Sequence, residues 1–108
     1  HPHVVQNYEN VAGKMIFYSL GNFVSNQRTR YRDGGLIATI DVMIVERGEG
    51  DEVKSRSVKY DLDVTPVWVH LPDYAVIPPE VGDAMQMNYD SRMRYNRFME
   101  DTREHLGI

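Results

Sequence analysis

Residues 35–47 read GLIATIDVMIVER and form the clearest strand pattern in the chain. Apolar side chains occupy every second position, and in an extended strand alternate side chains point to the same face. These apolar positions are Leu36, Ala38, Ile40, Val42 and Ile44. Thr39 and Asp41 fall on the opposite face, which we therefore expect to be the wetter one.

A second extended segment follows a short polar turn. The turn is GEGDE at residues 48–52, and the segment VKSRSVKYDLDV spans residues 53–64. Its inner face carries Val58, Tyr60 and Leu62. The two segments predict an antiparallel hairpin. Pro66 has no backbone N–H, so we expect a break or a sheet edge there and a separate short strand at residues 67–71.

The segments before this hairpin indicate one more strand and a long loop. Residues 14–20, KMIFYSL, follow the turn signal AGK and are apolar on both faces, which is typical of a strand covered on both sides. Residues 21–35, GNFVSNQRTRYRDGG, are polar and bounded by glycine. We expect a loop here, and loops of this length are often functional.

The C-terminal segment changes to a helical pattern. Apolar residues recur at helical spacing between Ser91 and Leu106, Asp90 can cap the first turn, and Gly107 supplies the stop. The sequence therefore predicts an α+β fold, with an antiparallel or mixed β-sheet in a β-rich part (residues 1–78) and a C-terminal helical segment (residues 79–108).

Composition excludes several classes of protein. The chain has 108 residues and a net charge of −4, which gives no basic surface for nucleic acid. It contains no cysteine, so disulfides, thiolate catalysis and thiolate metal sites are excluded. No apolar run approaches the roughly 20 residues of a membrane span. Because the sequence opens on a histidine, we interpret it as a piece of a longer polypeptide.

Histidines at the N-terminus are the first candidates for chemistry. The opening is His1-Pro2-His3, and Pro2 biases His1 toward an extended conformation. Residues two apart in an extended segment share a side, so both imidazoles can approach one metal ion. The alternative is a pair of solvated histidines on a loose terminus, because two-histidine matches often arise by chance.

Two further features follow the apolar strand. Asn22 lies just after it, where it can either line a site at the end of a strand or hydrogen-bond the local backbone. Arg28, Arg30 and Arg32 alternate in the loop, and arginines of this kind suit phosphate or carboxylate groups. The alternative for the arginines is an ordinary solvated basic loop.

Three strings in this order, HPHVVQ, GKMIFYSLGNFV and GGL, resemble one family. The chain is similar over about its first 45 residues to the C-terminal part of the CapA-type poly-γ-glutamate capsule-biosynthesis proteins, relatives of the calcineurin-like metallophosphatases. The resemblance implies the C-terminal portion of a four-layer αββα sandwich. It makes His1 and His3 ligands of a two-metal centre and Asn22 a residue at the site.

The resemblance also implies a longer parent protein. The other ligand motifs of the family stand far upstream, and neither Asp-x-His nor Asn-His-Glu occurs in this chain. We therefore expect the upstream part of the polypeptide as a partner. Manganese, zinc or iron would be bound in the parent, and the 108-residue chain would be inactive alone.

Two functional hypotheses follow. In the first, the parent is a metallophosphatase-like protein of the bacterial cell envelope, extracytoplasmic and membrane-associated. It would act on an acidic polymer or a phosphoester, and the three arginines would contact anions. In the second, the chain is a non-catalytic β-module that binds acidic polymer or self-assembles through an exposed sheet edge. Neither hypothesis involves nucleic acid.

Overall fold

The computed structural model describes residues 2–108. This part of the chain forms five strands and two helices: β1 Tyr8–Val11, β2 Lys14–Phe17, β3 Gly34–Glu49, β4 Glu52–His70, β5 Ala75–Ile77, α1 Pro79–Gly82 and α2 Tyr89–Leu106. β1 and β2 pair antiparallel, and β3, β4 and β5 form an antiparallel sheet in that order. The predicted α+β class, with antiparallel sheets and a C-terminal helix, is confirmed.

A long two-stranded ribbon dominates the shape of the molecule. β3 and β4 pair along almost their whole length around the turn that follows Glu49. Only the base of this ribbon, where β3 begins and β4 ends, is packed against other elements. The distal part, near the turn, is exposed on both faces. The molecule is consequently elongated, with extents of 63 × 27 × 22 Å. The predicted hairpin between residues 35–47 and 53–64 is therefore present.

The core lies where α2 crosses the base of the sheet. Trp68 of β4 is 1% exposed and meets the Tyr95 ring of α2 edge-on, with centroids 5.9 Å apart. The remaining buried members of the cluster are Val5, Leu36, Ile77, Phe98 and Met99. Burial of each large apolar side chain stabilises the fold by about 1.5–3 kcal/mol. One face of the helix thus holds the strands at this end of the molecule.

A buried carboxylate anchors the indole of Trp68. Asp33 precedes β3, is 5% exposed, and accepts a hydrogen bond from Trp68 Nε1 at 2.8 Å. The carbonyl of Asp33 also accepts from the Val69 N–H at 3.0 Å. Burial raises the pKa of Asp33, while the Trp68 hydrogen bond and the positive charges of Arg28 and Arg94 oppose that rise.

β4 runs through Pro66 without interruption, so the expected break and the separate strand at residues 67–71 are wrong, whereas the alternative of a sheet edge at Pro66 is correct. Leu36 pairs with Pro66 but donates its N–H to the Leu20 carbonyl, on the other side of β3, at 2.7 Å. The two residues therefore form a non-hydrogen-bonded pair, and the Pro66 nitrogen faces the outer edge of β4. β5 pairs there only from Trp68 onward, so the proline removes no ladder hydrogen bond.

The cap of α2 also differs from the prediction. Asn88 is the N-cap residue, and its side chain accepts a hydrogen bond from the Ser91 N–H at 2.8 Å. Asp90 lies inside the first turn and pairs with Arg94 one turn later, at 2.9 Å. Gly107 ends the helix in the left-handed conformation, with φ of 71°, as expected.

The apolar segment at residues 14–20 is less covered than its composition predicts. β2 ends at Phe17, and Tyr18 and Leu20 remain 58% and 42% exposed. The expectation of cover on both faces is wrong for this chain. No helix within residues 2–108 is long and apolar enough to cross a bilayer. The division of the chain at residue 78 stays a prediction.

The buried Asp33 generates a prediction about pH. The pKa of Asp33 is raised in the folded state, so the folded protein holds the proton to higher pH than the unfolded chain does. Folding stability should therefore fall as pH rises from about the ordinary value of 3.8 through the raised folded value. Asp33→Asn keeps an acceptor for Trp68 but cannot ionise, so its stability relative to wild type should increase over that range. Urea unfolding at a series of pH values measures the difference.

Two control variants complete this test. Asp61→Asn, on the exposed ribbon, removes one formal charge without touching the core. Asp33→Ala leaves the Trp68 N–H buried without an acceptor and should cost about 1–3 kcal/mol. A wild-type curve that runs parallel to that of Asp33→Asn at all pH values would contradict the raised pKa.

Candidate functional site

The N-terminal hairpin brings the two sequence motifs together. Ala12 and Gly13 make its turn, with φ of 51° and 80°. β1 and β2 pair so that Tyr8 lies opposite Phe17. An isolated bridge between Val5 and Leu20 continues this pairing beyond the two strands in the same register. The string HPHVVQ thus lies antiparallel to the string YSLGNF.

This register decides which site residues meet. Beyond the bridge between Val5 and Leu20, two further residues on each arm place His3 opposite Asn22. The side chains are in contact, with His3 Nδ1 3.0 Å from Asn22 Oδ1. Both residues are half-buried. Two of the residues singled out in the sequence are therefore neighbours in the structure, although 19 positions separate them along the chain.

Glycines join this hairpin to the main sheet. Gly21 bridges Gly35, and the Asn22 N–H donates to the Gly34 carbonyl at 2.9 Å. A Cβ on Gly35 would stand 2.8 Å from the carbonyl oxygens of both Leu20 and Asn22, so only glycine allows the approach. Gly21 adopts φ of 75°, which a larger residue rarely does. Asn22 is thereby fixed beside the start of β3, beyond the end of β2.

The side-chain amide of Asn22 makes three contacts. Its oxygen faces His3, and its nitrogen donates to Gln27 Oε1 at 3.1 Å and to the Arg32 carbonyl at 2.7 Å. Gln27 and Arg32 both belong to the arginine-bearing loop. The amide therefore connects the histidine segment to that loop, and the backbone carbonyl that it binds lies ten residues away and not in the local turn.

His1 lies outside the described residues, so its place relative to His3 is not part of this geometry. Within residues 2–108, no three side chains of the histidine, aspartate or glutamate type come together as a metal-binding group. The described residues contribute the single imidazole of His3 at this position. Structural and catalytic zinc sites take three or four protein ligands.

Arg28 is directed into the protein. Its guanidinium donates to the Val69 carbonyl at 2.8 Å and to the Ser25 carbonyl at 3.3 Å. The group lies over the ring of Trp68, 5.9 Å from its centroid. Partial burial lowers the pKa of Arg28, and the nearby carboxylate of Asp33 opposes this. Arg28 consequently ties the loop to β4.

Arg30 and Arg32 face in other directions. Arg30 binds both carboxylate oxygens of Asp101 on α2, at 2.8 and 3.0 Å, and this pair raises the pKa of Arg30 and lowers that of Asp101. Arg32 is exposed, and its guanidinium has no hydrogen bond or ion pair to any residue from 2 to 108. The three arginines do not form one cluster around a common point.

Gln27 and Asp33 are the structurally important residues that sequence reasoning did not single out. Gln27 accepts from the Asn22 amide, and Asp33 holds the indole of Trp68. Both contacts join residues of the loop to residues elsewhere in the fold. The only sequence signal for Asp33 is its position directly before the two glycines that open β3.

The arrangement presents an oriented imidazole beside the start of β3. An oxygen acceptor behind one ring nitrogen commonly fixes the orientation of a histidine that binds a metal or moves a proton. The geometry at His3 and Asn22 has this form. An exposed arginine, Arg32, lies in the same loop that supports the amide.

Comparison with known proteins bears on the same residues. The family model described as bacterial capsule synthesis protein PGA_cap matches residues 1–27, which include His3 and Asn22. No solved structure matches the chain. The family match therefore covers the hairpin that holds the candidate site, and not the ribbon or α2.

A curated relative shows the same similarity. The PGA biosynthesis protein CapA of Bacillus subtilis (strain 168) is 55% identical over 38 residues, which is 34% of this chain and 10% of the relative. The matched region is thus a small part of that protein. Both comparisons support the prediction from the two motifs, because they show that the N-terminal part of the chain is similar to CapA-type capsule biosynthesis proteins.

Proposed function

We propose that this chain completes a divalent-metal site in a metallophosphatase-like capsule biosynthesis protein. In this proposal His1 and His3 are ligands, Asn22 is a residue of the site, and the sheet described above is part of a four-layer αββα sandwich. The remaining ligands come from elsewhere in the polypeptide, since the described residues supply one imidazole. The observation that carries the proposal is the contact between His3 and Asn22.

The donor set fits one part of a metal site. Metal-binding histidines almost always donate their second ring N–H to a carbonyl, carboxylate or water oxygen, and the Asn22 oxygen occupies that position behind His3. Imidazole is a ligand for zinc, manganese and iron. When bound, a pair of such ions supplies Lewis acidity and a hydroxide nucleophile at neutral pH. This chain contributes the orientation of its histidine.

The parent protein would act on a phosphoester or an acidic polymer such as poly-γ-glutamate, at the bacterial cell envelope. Support comes from the capsule biosynthesis relationship. Of the three loop arginines, Arg32 is the one whose guanidinium is exposed and has no partner among the described residues, so it is the first of them to meet a carboxylate or phosphate. Arg28 and Arg30 already donate to protein acceptors, the Val69 carbonyl and the Asp101 carboxylate. They would contact an anion while keeping these hydrogen bonds.

The metal proposal predicts a difference between the chain and its parent. The 108-residue chain, supplied with Mn²⁺, Zn²⁺ or Fe²⁺ and p-nitrophenyl phosphate, should show no turnover. The full-length parent should hydrolyse a phosphoester, and His3→Ala should lower its metal affinity by at least the roughly 10–100-fold that loss of an outer partner costs. Calorimetric metal titration and initial rates measure these effects.

The matched control is His105→Ala, which removes an exposed histidine near the end of α2. Its metal affinity and rate should equal those of the unmodified protein. Turnover by the 108-residue chain alone, or full metal affinity in the His3→Ala parent, would contradict the proposal.

The anion contact has its own test. Arg32→Gln should weaken binding of poly-γ-glutamate roughly two- to fivefold, as expected for one exposed ion pair, and should reduce the salt dependence of binding. Fluorescence anisotropy with labelled polymer measures both quantities. Arg47→Gln is the matched control, because Arg47 is an exposed arginine on the distant ribbon and has no ion pair among the described residues. Equal losses in the two variants would show non-specific charge attraction instead.

A second candidate function, self-assembly, is favoured by the ribbon. The residues that share a face with Leu36 form an unbroken apolar stripe, and the register places them opposite one another across β3 and β4. The stripe consists of Ala38, Ile40, Val42, Ile44, Val58, Tyr60, Leu62 and Val64. Val42, Ile44 and Tyr60 are 47–58% exposed. The opposite face is charged instead, with Asp41, Asp61 and Asp63 beside Lys59 and Arg47.

A second copy of the chain fits this surface. Between residues 37 and 65 the outer edges of both strands pair with no other described strand. Such edges add strands from another chain, and two identical edges pair antiparallel about a two-fold axis. The apolar stripe is a second surface that another copy can cover, because the face opposite to it is polar and charged.

Substitutions on the two faces of the ribbon test whether self-association requires the apolar stripe or only an exposed apolar side chain. Val42→Lys places a charge on the apolar stripe and should weaken self-association at least about tenfold, because burial of a valine contributes about 1.5 kcal/mol or more. Met43→Lys changes a similarly exposed residue on the opposite, charged face and should leave association unchanged. Sedimentation velocity over a concentration series measures both. A wild-type chain that stays monomeric at high concentration would exclude self-assembly.

A further inference from the structure

The contacts of Asn22 determine which way its amide points. The nitrogen Nδ2 lies 2.7 Å from the carbonyl oxygen of Arg32, which can only accept a hydrogen bond. The group facing Arg32 must therefore be the NH₂ of the amide. A second acceptor, Gln27 Oε1, lies 3.1 Å from the same nitrogen. With the NH₂ so placed, the amide oxygen is the atom that faces His3.

The orientation of the amide fixes the proton on His3. An amide oxygen only accepts hydrogen bonds, so the ring nitrogen 3.0 Å away, Nδ1, must be the donor. In a neutral imidazole one nitrogen carries the proton and the other carries the lone pair. The neutral ring of His3 therefore carries its lone pair on Nε2.

We propose that Asn22 is a positioning residue that holds His3 in the Nδ1–H tautomer. The tautomer follows from the hydrogen bonds alone. Its use rests on the proposed function, in which His3 binds a divalent cation, and in that case Nε2 is the ligating atom. Asn22 acts through His3 and needs no contact with substrate or metal.

The loop arginines support this arrangement from the other side. Arg28 fixes the loop to the Val69 carbonyl, and Arg30 fixes it to Asp101 of α2. Between these anchors and the strand end lies Gln27, whose N–H also donates to Ser25 Oγ at 3.1 Å. The two arginines thus give the loop a fixed position from which Gln27 and the Arg32 carbonyl can hold the amide.

Nitrogen NMR on the 108-residue chain tests the proposal without metal. At about pH 8.5, roughly two units above the ordinary imidazole pKa, long-range ¹H–¹⁵N correlation spectra distinguish Nδ1–H from Nε2–H rings. Wild-type His3 should show the proton on Nδ1. Asn22→Ala should shift it toward Nε2–H, the form that an unconstrained imidazole prefers. Wild-type His3 with its proton on Nε2 would overturn the proposal outright.

The same spectra contain internal controls. His70 Nδ1 lies 2.8 Å from the Asp73 carboxylate, so His70 should also be an Nδ1–H ring, and Asn22→Ala should not change it. Asn10→Ala removes an asparagine side chain that accepts from Gly13 N–H in the distant hairpin turn, and His3 should keep its wild-type signals. An unchanged His3 in Asn22→Ala would contradict the assigned role.

A second variant covers the case in which Asn22→Ala does not fold. Gln27→Leu removes one of the two acceptors of the amide and leaves Asn22 in place, so the Nδ1–H population of His3 should fall partway. Zn²⁺ titration of the full-length parent separates the two proposals. An Nδ1–H tautomer without metal affinity would refute the metal site only, whereas metal binding with an Nε2–H tautomer would refute the role of Asn22 only.

Discussion

The unshifted register of the N-terminal hairpin is the constraint on which the candidate site depends. Antiparallel pairing that begins at the turn of Ala12 and Gly13 continues to the bridge between Val5 and Leu20. A slip of one residue would turn every side chain of one arm to the other face and would separate His3 from Asn22. The two motifs are therefore two sides of one ladder. The matched family model covers this ladder and ends near it.

The main sheet and α2 hold the N-terminal hairpin in a fixed position. Gly21 and Gly35 allow the end of the hairpin to approach β3 closely enough for backbone hydrogen bonds. Next to this joint, Asp33 binds the indole of Trp68, and Trp68 packs against Tyr95 of α2. An ionisable group is thus placed in the core, where its charge is costly, in order to fix the largest side chain there.

Local patterns in the sequence predict the elements better than the contacts between them. Alternation in residues 35–47 and turn composition in residues 48–52 correctly predict the long hairpin, and Gly107 correctly marks the end of α2. The expected break at Pro66 is wrong because its cost depends on which side of β4 has a neighbour, a property of register. Likewise the choice of Asn88 over Asp90 as cap depends on where the chain enters the helix.

The same limit applies to the candidate site. His3 and Asn22 are recognisable as residue types near a motif, yet no local pattern states that they touch, because their contact follows from pairing across the hairpin. The arginines show the converse. Their spacing indicates an anion site, but Arg28 and Arg30 find acceptors on β4 and α2, which are distant in sequence. Arg30 stays exposed while it binds Asp101, and Arg32 is the one of the three whose exposed guanidinium has no partner among the described residues.

The continuity of β4 links distant parts of the molecule. One uninterrupted strand carries the apolar stripe near its beginning and, near its end, the Val69 carbonyl that receives Arg28. The ribbon and the anchor of the arginine loop therefore share one segment of backbone, so whatever covers the apolar stripe is joined to that loop by a single continuous strand.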